Sequence, residues 1–87
     1  MSEETFSIRV VDEEGDGIEG VKVSCNYGLL NGIGEEYTDE DGWARFTIHS
    51  TSFVDGKCHV KNIWINGDEV SGETKYMDDG DTLSYTI

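Results

Sequence analysis

The chain has 87 residues, of which nineteen are acidic and six are basic, so its formal net charge is −13. This length predicts one domain over residues 1–87 with a modest core. The charge argues against nucleic acid or anionic lipid as a partner, because both require a basic surface. No apolar run is long enough to span a membrane, and repulsion between copies predicts a monomer.

The chain begins with Met1-Ser2-Glu3-Glu4 and lacks the basic start and apolar run of a secretory signal. We therefore expect either a cytoplasmic protein or a piece of a longer exported one.

Short runs in which apolar and polar residues alternate occur along most of the chain. This period of two, with β-branched and aromatic residues, is typical of strands that bury one face. No window has the spacing of an amphipathic helix, so no long helix is expected. In chain order the runs are residues 6–11, 21–27, a short run ending at 38, then 43–49, 58–60, 63–65 and 82–87.

Turn signals separate these runs at residues 12–20, 39–42, 66–67 and 78–81. Asn66-Gly67 predicts a two-residue hairpin turn, because both residues tolerate positive φ. A four-residue loop at 39–42 predicts a hairpin that would place Glu36 opposite Arg45.

The apolar phase slips by one residue between Val60 and Ile63. A β-bulge near Asn62 would return the apolar side chains to the core. Alternatively, Trp64 points inward and Ile63 and Ile65 line a second apolar face.

About seven short strands without a long helix predict an all-β fold. The strand pattern leaves two architectures open, a sandwich and a small barrel.

Two blocks of sequence carry a family resemblance. Residues 11–23, with Val11-Asp12, Gly15, Ile18 and Gly20 before a strand, resemble the first hairpin of carboxypeptidase regulatory-like domains, with Gly17 where that family usually has proline. Residues 38–46 resemble the family's Thr-Asp-x-Asp-Gly hairpin. Transthyretin-like, Cna B-type and bacterial Ig-like domains are related sandwiches, so the resemblance implies an Ig-like or transthyretin-like Greek-key β-sandwich. The resemblance implies a non-catalytic module with a structural, spacer or protein-association role.

The acidic turns are candidate calcium ligands. Asp12, Glu14 and Asp16 alternate as in the first half of a calcium loop, but Val23 occupies the position where such a loop needs glutamate. A cation held jointly with Asp39 and Asp41 is one hypothesis, and a solvated turn without a cation is the other. No other cofactor is expected.

Trp43 and Trp64 are candidate ligand-binding residues, because exposed aromatic rings stack on sugars. Carbohydrate or calcium binding, as an accessory module of a larger exported protein, is therefore the alternative function. The competing interpretation is that each tryptophan covers a sheet edge or a corner of the core.

The remaining reactive side chains predict no enzyme. No nucleophile motif frames the serines and histidines, so no catalytic residue is expected. Cys25 and Cys58 lie on inward phases, which is compatible with one disulfide or with two buried thiols.

Overall fold

The computed structural model describes residues 4–28, 32–48, 53–54 and 57–87. Within these ranges the chain forms strands and no helix, which confirms the all-β prediction. About seven strands were expected, and the described part contains ten, because several are only two to four residues long. They are β1 (Glu4–Val11), β2 (Lys22–Asn26), β3 (Ile33–Tyr37), β4 (Trp43–Ile48), β5 (Phe53–Val54), β6 (Lys57–Val60), β7 (Asn62–Ile65), β8 (Asp68–Ser71), β9 (Lys75–Met77) and β10 (Thr82–Thr86).

The strands form three sheets. Sheet A has the order β10-β1-β4, sheet B the order β3-β2-β7-β8, and sheet C the order β5-β6-β9. All described pairs are antiparallel except β1 with β10, which run parallel. The fold is a small β-sandwich in which sheets A and B bury their inner faces against each other.

The core consists of the inward side chains that the alternation predicted. Phe6, Ile8 and Val10 from β1 are almost fully buried, and Phe6 stacks on Phe46 with ring centroids 5.2 Å apart. Sheet C closes one part of the core with two residues, Val60 and Met77. The other buried apolar residues are Val21, Val23, Cys25, Ala44, Ile63 and Ile65.

The loops at 12–20 and 39–42 connect the two sheets, so the hairpins predicted there are wrong. β1 pairs with β4 and β10, whereas β2 pairs with β3 and β7. Arg45 therefore lies opposite Ser7 rather than Glu36, and Glu36 lies opposite Val23. A turn motif specifies the reversal of the chain, but it does not specify whether the flanking strands pair or separate.

These two connecting loops touch through their glycines. A Cβ atom on Gly17 would overlap the carbonyl of Asp41, and one on Gly42 would lie 2.8 Å from the Cα of Gly17. The amide of Val10 donates to the Gly42 carbonyl at 2.8 Å. Only glycine permits this close approach of two backbones. The contact links the loop that leads into β2 of sheet B with the loop that leads into β4 of sheet A.

Thr38 connects the same region through buried hydrogen bonds. Its hydroxyl donates to the Ile18 carbonyl at 2.5 Å and accepts the Val21 amide at 2.8 Å. Thr38 is 4% exposed and is the buried polar residue of the described core. Its side chain therefore satisfies two backbone groups that have left the strand ladders.

The phase slip between Val60 and Ile63 coincides with a change of sheet. β6 pairs with β9 in sheet C, and β7 pairs with β2 in sheet B, with Lys61 between them. A register shift also occurs in the β7–β8 pair between Ile63 and Trp64. Ile63 and Ile65 are buried and Trp64 is not, so the alternative with Trp64 pointing inward is wrong.

The predicted Asn66-Gly67 turn is confirmed. Both residues have positive φ, 51° and 87°, and they join β7 to β8 as an antiparallel hairpin. This turn is strongly specified because few residue pairs adopt two positive φ angles.

Candidate functional site

The carboxylates of the two connecting loops cap backbone amides. Asp12 Oδ1 accepts the amides of Glu14 and Asp16 at 2.9 and 3.0 Å. Asp39 Oδ1 accepts the amides of Asp41 and Trp43 at 2.9 and 3.0 Å. The shared spacing, with Asp first and a positive-φ glycine fourth, therefore produces the same local turn twice.

Two of the five predicted metal ligands, Asp12 and Asp39, therefore each use one carboxylate oxygen to accept backbone amides. The contact between the loops brings Gly17 and Ile18 against Asp41 and Gly42. Within residues 4–28, 32–48, 53–54 and 57–87, however, no three His, Cys, Asp or Glu side chains are grouped closely enough to hold a metal ion. Calcium binding by Asp12, Glu14, Asp16, Asp39 and Asp41 stays a prediction.

A third acidic turn, at residues 78–81, is built differently. Asp81 Oδ2 accepts the Asp78 amide at 2.9 Å, and Asp79 Oδ1 accepts the amide of Thr5 in β1 at 2.9 Å. This turn therefore ties the start of β10 to β1.

Trp43 lies on the outer face of sheet A and is half-buried. The Arg9 guanidinium lies over its ring, 5.7 Å from the centroid, and Arg9 Nε donates to the Asp41 carbonyl at 3.1 Å. One ring face is thus partly covered by a cation, and a sugar would have to displace Arg9 or use the other face.

Trp64 lies on the outer face of sheet B, opposite Ser24 on one side and Glu69 on the other. Sheets A and B face each other across the core, so the two tryptophans lie on opposite surfaces. The structure does not bring these two candidate residues together into one binding platform.

Two apolar residues that the sequence did not single out are exposed on the outer face of sheet B. Ile33 is 64% exposed and Tyr37 is 62% exposed. Ile33 lies opposite Asn26 and Tyr37 lies opposite Lys22, so both share the outward face with Trp64. We call Ile33, Tyr37 and Trp64 with the intervening Lys22 and Glu35 the sheet B patch.

The centre of the sheet B patch is polar. Lys22 Nζ lies 3.4 Å from Glu35 Oε2, and both side chains are nearly half exposed. Such a pair contributes only about 0.5 kcal/mol at a surface. Beside Ile33 there is an open pocket of about 450 Å³ lined by Asn26, Gly28, Gly32, Ile33 and Lys61.

Tyr85 lies in β10, is partly buried and packs against the core. Its hydroxyl is buried and receives no hydrogen bond of standard geometry from the described part of the chain. Burial raises the pKa of the Tyr85 phenol above its ordinary value of 10.0, and the nearby Ser71 hydroxyl opposes part of this shift.

Cys25 is fully buried in the core. The side chain of Cys58 lies outside the described residues, so the predicted choice between a disulfide and two thiols is not tested.

Comparison with known proteins yields no family. No protein-family model matches the chain, and no curated protein matches it in sequence. The resemblance to carboxypeptidase regulatory-like domains is therefore carried by its two sequence motifs alone.

The described residues contain no helix that is long and apolar enough to cross a bilayer.

Proposed function

We propose that this domain is a non-catalytic β-sandwich module that associates with another protein through the sheet B patch. The observation that carries the proposal is the exposure of Ile33 and Tyr37 on the same sheet face as Trp64. Aromatic residues are enriched at the centres of protein interfaces, since a rigid ring contributes a large contact area at small entropic cost.

The arrangement of this patch fits a protein partner better than a single small ligand. Ile33 and Tyr37 are four residues apart on β3, which spans about 13 Å, and Trp64 lies two strands away, at about 10 Å. The patch is thus broad, with an ion pair between its apolar side chains. A broad surface of mixed polarity is typical of protein association.

The family resemblance supports a structural role as well. Carboxypeptidase regulatory-like and related Ig-like Greek-key sandwiches are usually spacers or assembly modules attached to other domains. We propose the same use here, on the strength of the motifs at residues 11–23 and 38–46.

Site-specific crosslinking tests the association. A photo-reactive phenylalanine analogue at Tyr37 should crosslink a defined protein in the cell of origin, whereas the same analogue at the exposed Thr74 should not. The purified partner should bind the wild-type domain, and Tyr37→Ser should weaken that binding at least tenfold, about 1.4 kcal/mol. Equal crosslinking from both positions, or unchanged affinity of the variant, would contradict the proposal.

The alternative functions are tested on the same purified domain. We expect calcium and a glycan panel to leave the melting temperature and the tryptophan fluorescence unchanged. A rise of several degrees with either ligand would favour the accessory-module alternative. Loss of that rise in Trp43→Ala or Trp64→Ala would then identify the surface that binds sugar.

A further inference from the structure

The strand β10 differs in charge from β3 and β8, which are the two edges of sheet B. It pairs with β1 on one side, and no other described strand pairs with it. Its residues, Thr82–Thr86, are uncharged in a chain of net charge −13. By contrast, β3 carries Glu35 and Glu36, and β8 carries Asp68 and Glu69.

Charged side chains on an edge strand prevent another strand from adding to it. The described residues of β10 lack three of the usual protective features. The strand contains no proline and no charge, and its five successive pairs with β1 run without a bulge. Among the described residues, no strand pairs with the backbone edge of β10 that faces away from β1, so that edge can accept another strand.

The hydrogen bonds to β1 define which backbone groups of β10 are open. The Ser7 amide donates to the Asp81 carbonyl at 3.0 Å, and the Ile87 amide donates to the Val11 carbonyl at 2.9 Å. Backbone groups alternate in direction along a strand, so odd-numbered residues face β1. The N–H and C=O groups of Thr82, Ser84 and Thr86 consequently face away from the sheet.

Both ends of this open edge are acidic. The turn before β10 contains Asp78, Asp79 and Asp81. At the other end Thr86 lies opposite Val11, which leads directly into the acidic loop at residues 12–16. An uncharged strand of five residues, about 17 Å long, thus lies between two groups of carboxylates.

This charge pattern selects between occupants. If two copies of β10 paired antiparallel, residues 78–81 of one copy would approach residues 12–16 of the other. Parallel pairing would bring each acidic loop against its own counterpart. Both arrangements oppose like charges, whereas lysine or arginine at the ends of a foreign strand would complement them.

We propose that β10 is a strand-addition site for an extended segment of another protein, with an uncharged β-forming centre and basic residues at its ends. Main-chain hydrogen bonds to Thr82, Ser84 and Thr86 supply the pairing, and the acidic loops supply orientation and selectivity. This surface is separate from the sheet B patch, so the proposal goes beyond the association proposed above. A domain with both surfaces is a connector between two proteins.

The first test is a titration of the isotope-labelled domain with the peptide Lys-Lys-Thr-Val-Thr-Val-Thr-Lys-Lys, followed by amide chemical shifts. We expect the largest shifts at Thr82, Ser84 and Thr86, and binding that weakens as salt is added. The matched peptide with glutamate at every lysine position should bind at least about tenfold more weakly. No binding, equal binding of the two peptides, or shifts centred on another edge would overturn the proposal.

Variants test the two parts of the site separately. Ser84→Pro removes an outward amide without removing a bond to β1, and we expect at least a tenfold loss of peptide affinity with a retained melting transition. Glu13→Gln/Glu14→Gln should weaken the lysine peptide severalfold. The matched pair Glu36→Gln/Asp68→Asn removes the same charge elsewhere and should change affinity by less than about twofold. Equal effects of the two charge pairs, or an unchanged Ser84→Pro affinity, would count against strand addition at β10.

A second measurement does not depend on the variant folding. N-methylation of alternate peptide amides should abolish binding when it blocks the edge facing β10 and spare it when it blocks the opposite edge. Equal effects of both methylation patterns would overturn edge pairing.

Sedimentation of the domain alone tests self-association through β10. If the domain forms a dimer that strengthens as salt is added, and Ser84→Pro abolishes that dimer, then β10 pairs with a second copy of this chain. That result would overturn the proposal of a foreign segment. Neither the peptide nor the dimer uses the sheet B patch. If the proposal for β10 fails, the crosslinking test at Tyr37 is therefore unaffected.

Discussion

The connecting loops and the sheet B patch use their side chains in opposite ways. In the loops, Asp12 and Asp39 each accept two backbone amides, and glycines bring the two backbones into contact. On the patch, Ile33 and Tyr37 extend into solvent. The loops have the more conspicuous sequence, with clustered acids and glycines, whereas the patch belongs to a short strand with little pattern.

This difference separates stability from recognition. Loop side chains stabilise the crossing between sheets A and B, so their substitution should lower the free energy of unfolding. Patch side chains contribute little to the core, so their substitution should change binding and leave stability nearly unchanged. The following predictions test that separation, beginning with the largest expected effect.

Gly17→Ala should destabilise the domain by about 3 kcal/mol, because the added Cβ would overlap the Asp41 carbonyl. Gly15→Ala is the matched control. Gly15 has φ of 89°, and a Cβ atom added to it would meet no other atom within 4 Å, so only backbone strain of about 1 kcal/mol applies. Urea unfolding of both variants measures the difference. Equal losses would show that the contact between the loops contributes nothing beyond local conformation.

Thr38→Val should cost about 2 kcal/mol, because it leaves the Val21 amide and the Ile18 carbonyl buried without their partner. Thr38→Ser keeps the hydroxyl and should lose less than about 1 kcal/mol. Thermal or urea unfolding distinguishes them. If serine destabilised as much as valine, the methyl packing rather than the two hydrogen bonds would be responsible.

Alkaline pH should lower stability through Tyr85. Since burial raises the pKa of this phenol above 10.0 in the folded state, the unfolded chain ionises first as the pH rises. The contribution is complete below the unfolded pKa and is lost progressively above it. Urea midpoints measured from about pH 9 to pH 11 should fall less steeply in Tyr85→Phe. If the urea midpoints of the wild type and Tyr85→Phe fell equally with pH, ionisation of Tyr85 would not contribute to the loss of stability.

Ile33→Ser/Tyr37→Ser should change the free energy of unfolding by less than about 0.5 kcal/mol, because both residues are mainly exposed. Ile63→Ala, in a neighbouring part of the same sheet but fully buried, should cost about 3 kcal/mol. The same unfolding experiment compares them. A large loss in the double serine variant would assign the patch a structural role instead of a binding one.

The sequence predicted the strands whose alternation is regular. Phe6, Ile8 and Val10 alternate without interruption, and all three are buried as expected. The Asn66-Gly67 turn was equally clear, because few residue pairs adopt positive φ twice. Where one local rule dominates, the sequence was sufficient to predict the local structure.

The relation between strands was harder to predict. The hydrogen bonds of the turn at residues 39–42 join Asp39 to the amides of Asp41 and Trp43, and such local bonds carry no information about which sheet each flanking strand joins. The side of Trp64 was ambiguous for a similar reason, because β6 and β7 belong to different sheets. Only long-range pairing resolves both.

The sheet B patch was missed because β3 is an edge strand. Its sequence, Ile33–Tyr37, contains Gly34, Glu35 and Glu36, and almost no residue in it is even partly buried. The alternation that marks a strand buried on one face is absent there. Exposure of Ile33 and Tyr37 became visible only once the register with β2 was known.

The most direct test of the claim that the loop carboxylates stabilise the fold and do not bind a ligand is thermal unfolding of Asp12→Asn/Asp39→Asn with and without calcium. Asparagine keeps an Oδ1 acceptor for the backbone amides but removes the charge that a cation requires. We predict stability within about 0.5 kcal/mol of the wild type and no calcium effect on either protein. The matched Asp12→Ala/Asp39→Ala variant, which removes the caps, should lose about 2 kcal/mol. A calcium-dependent rise in the wild-type melting temperature that the asparagine variant lacks would contradict the account and make the acidic loops a binding site.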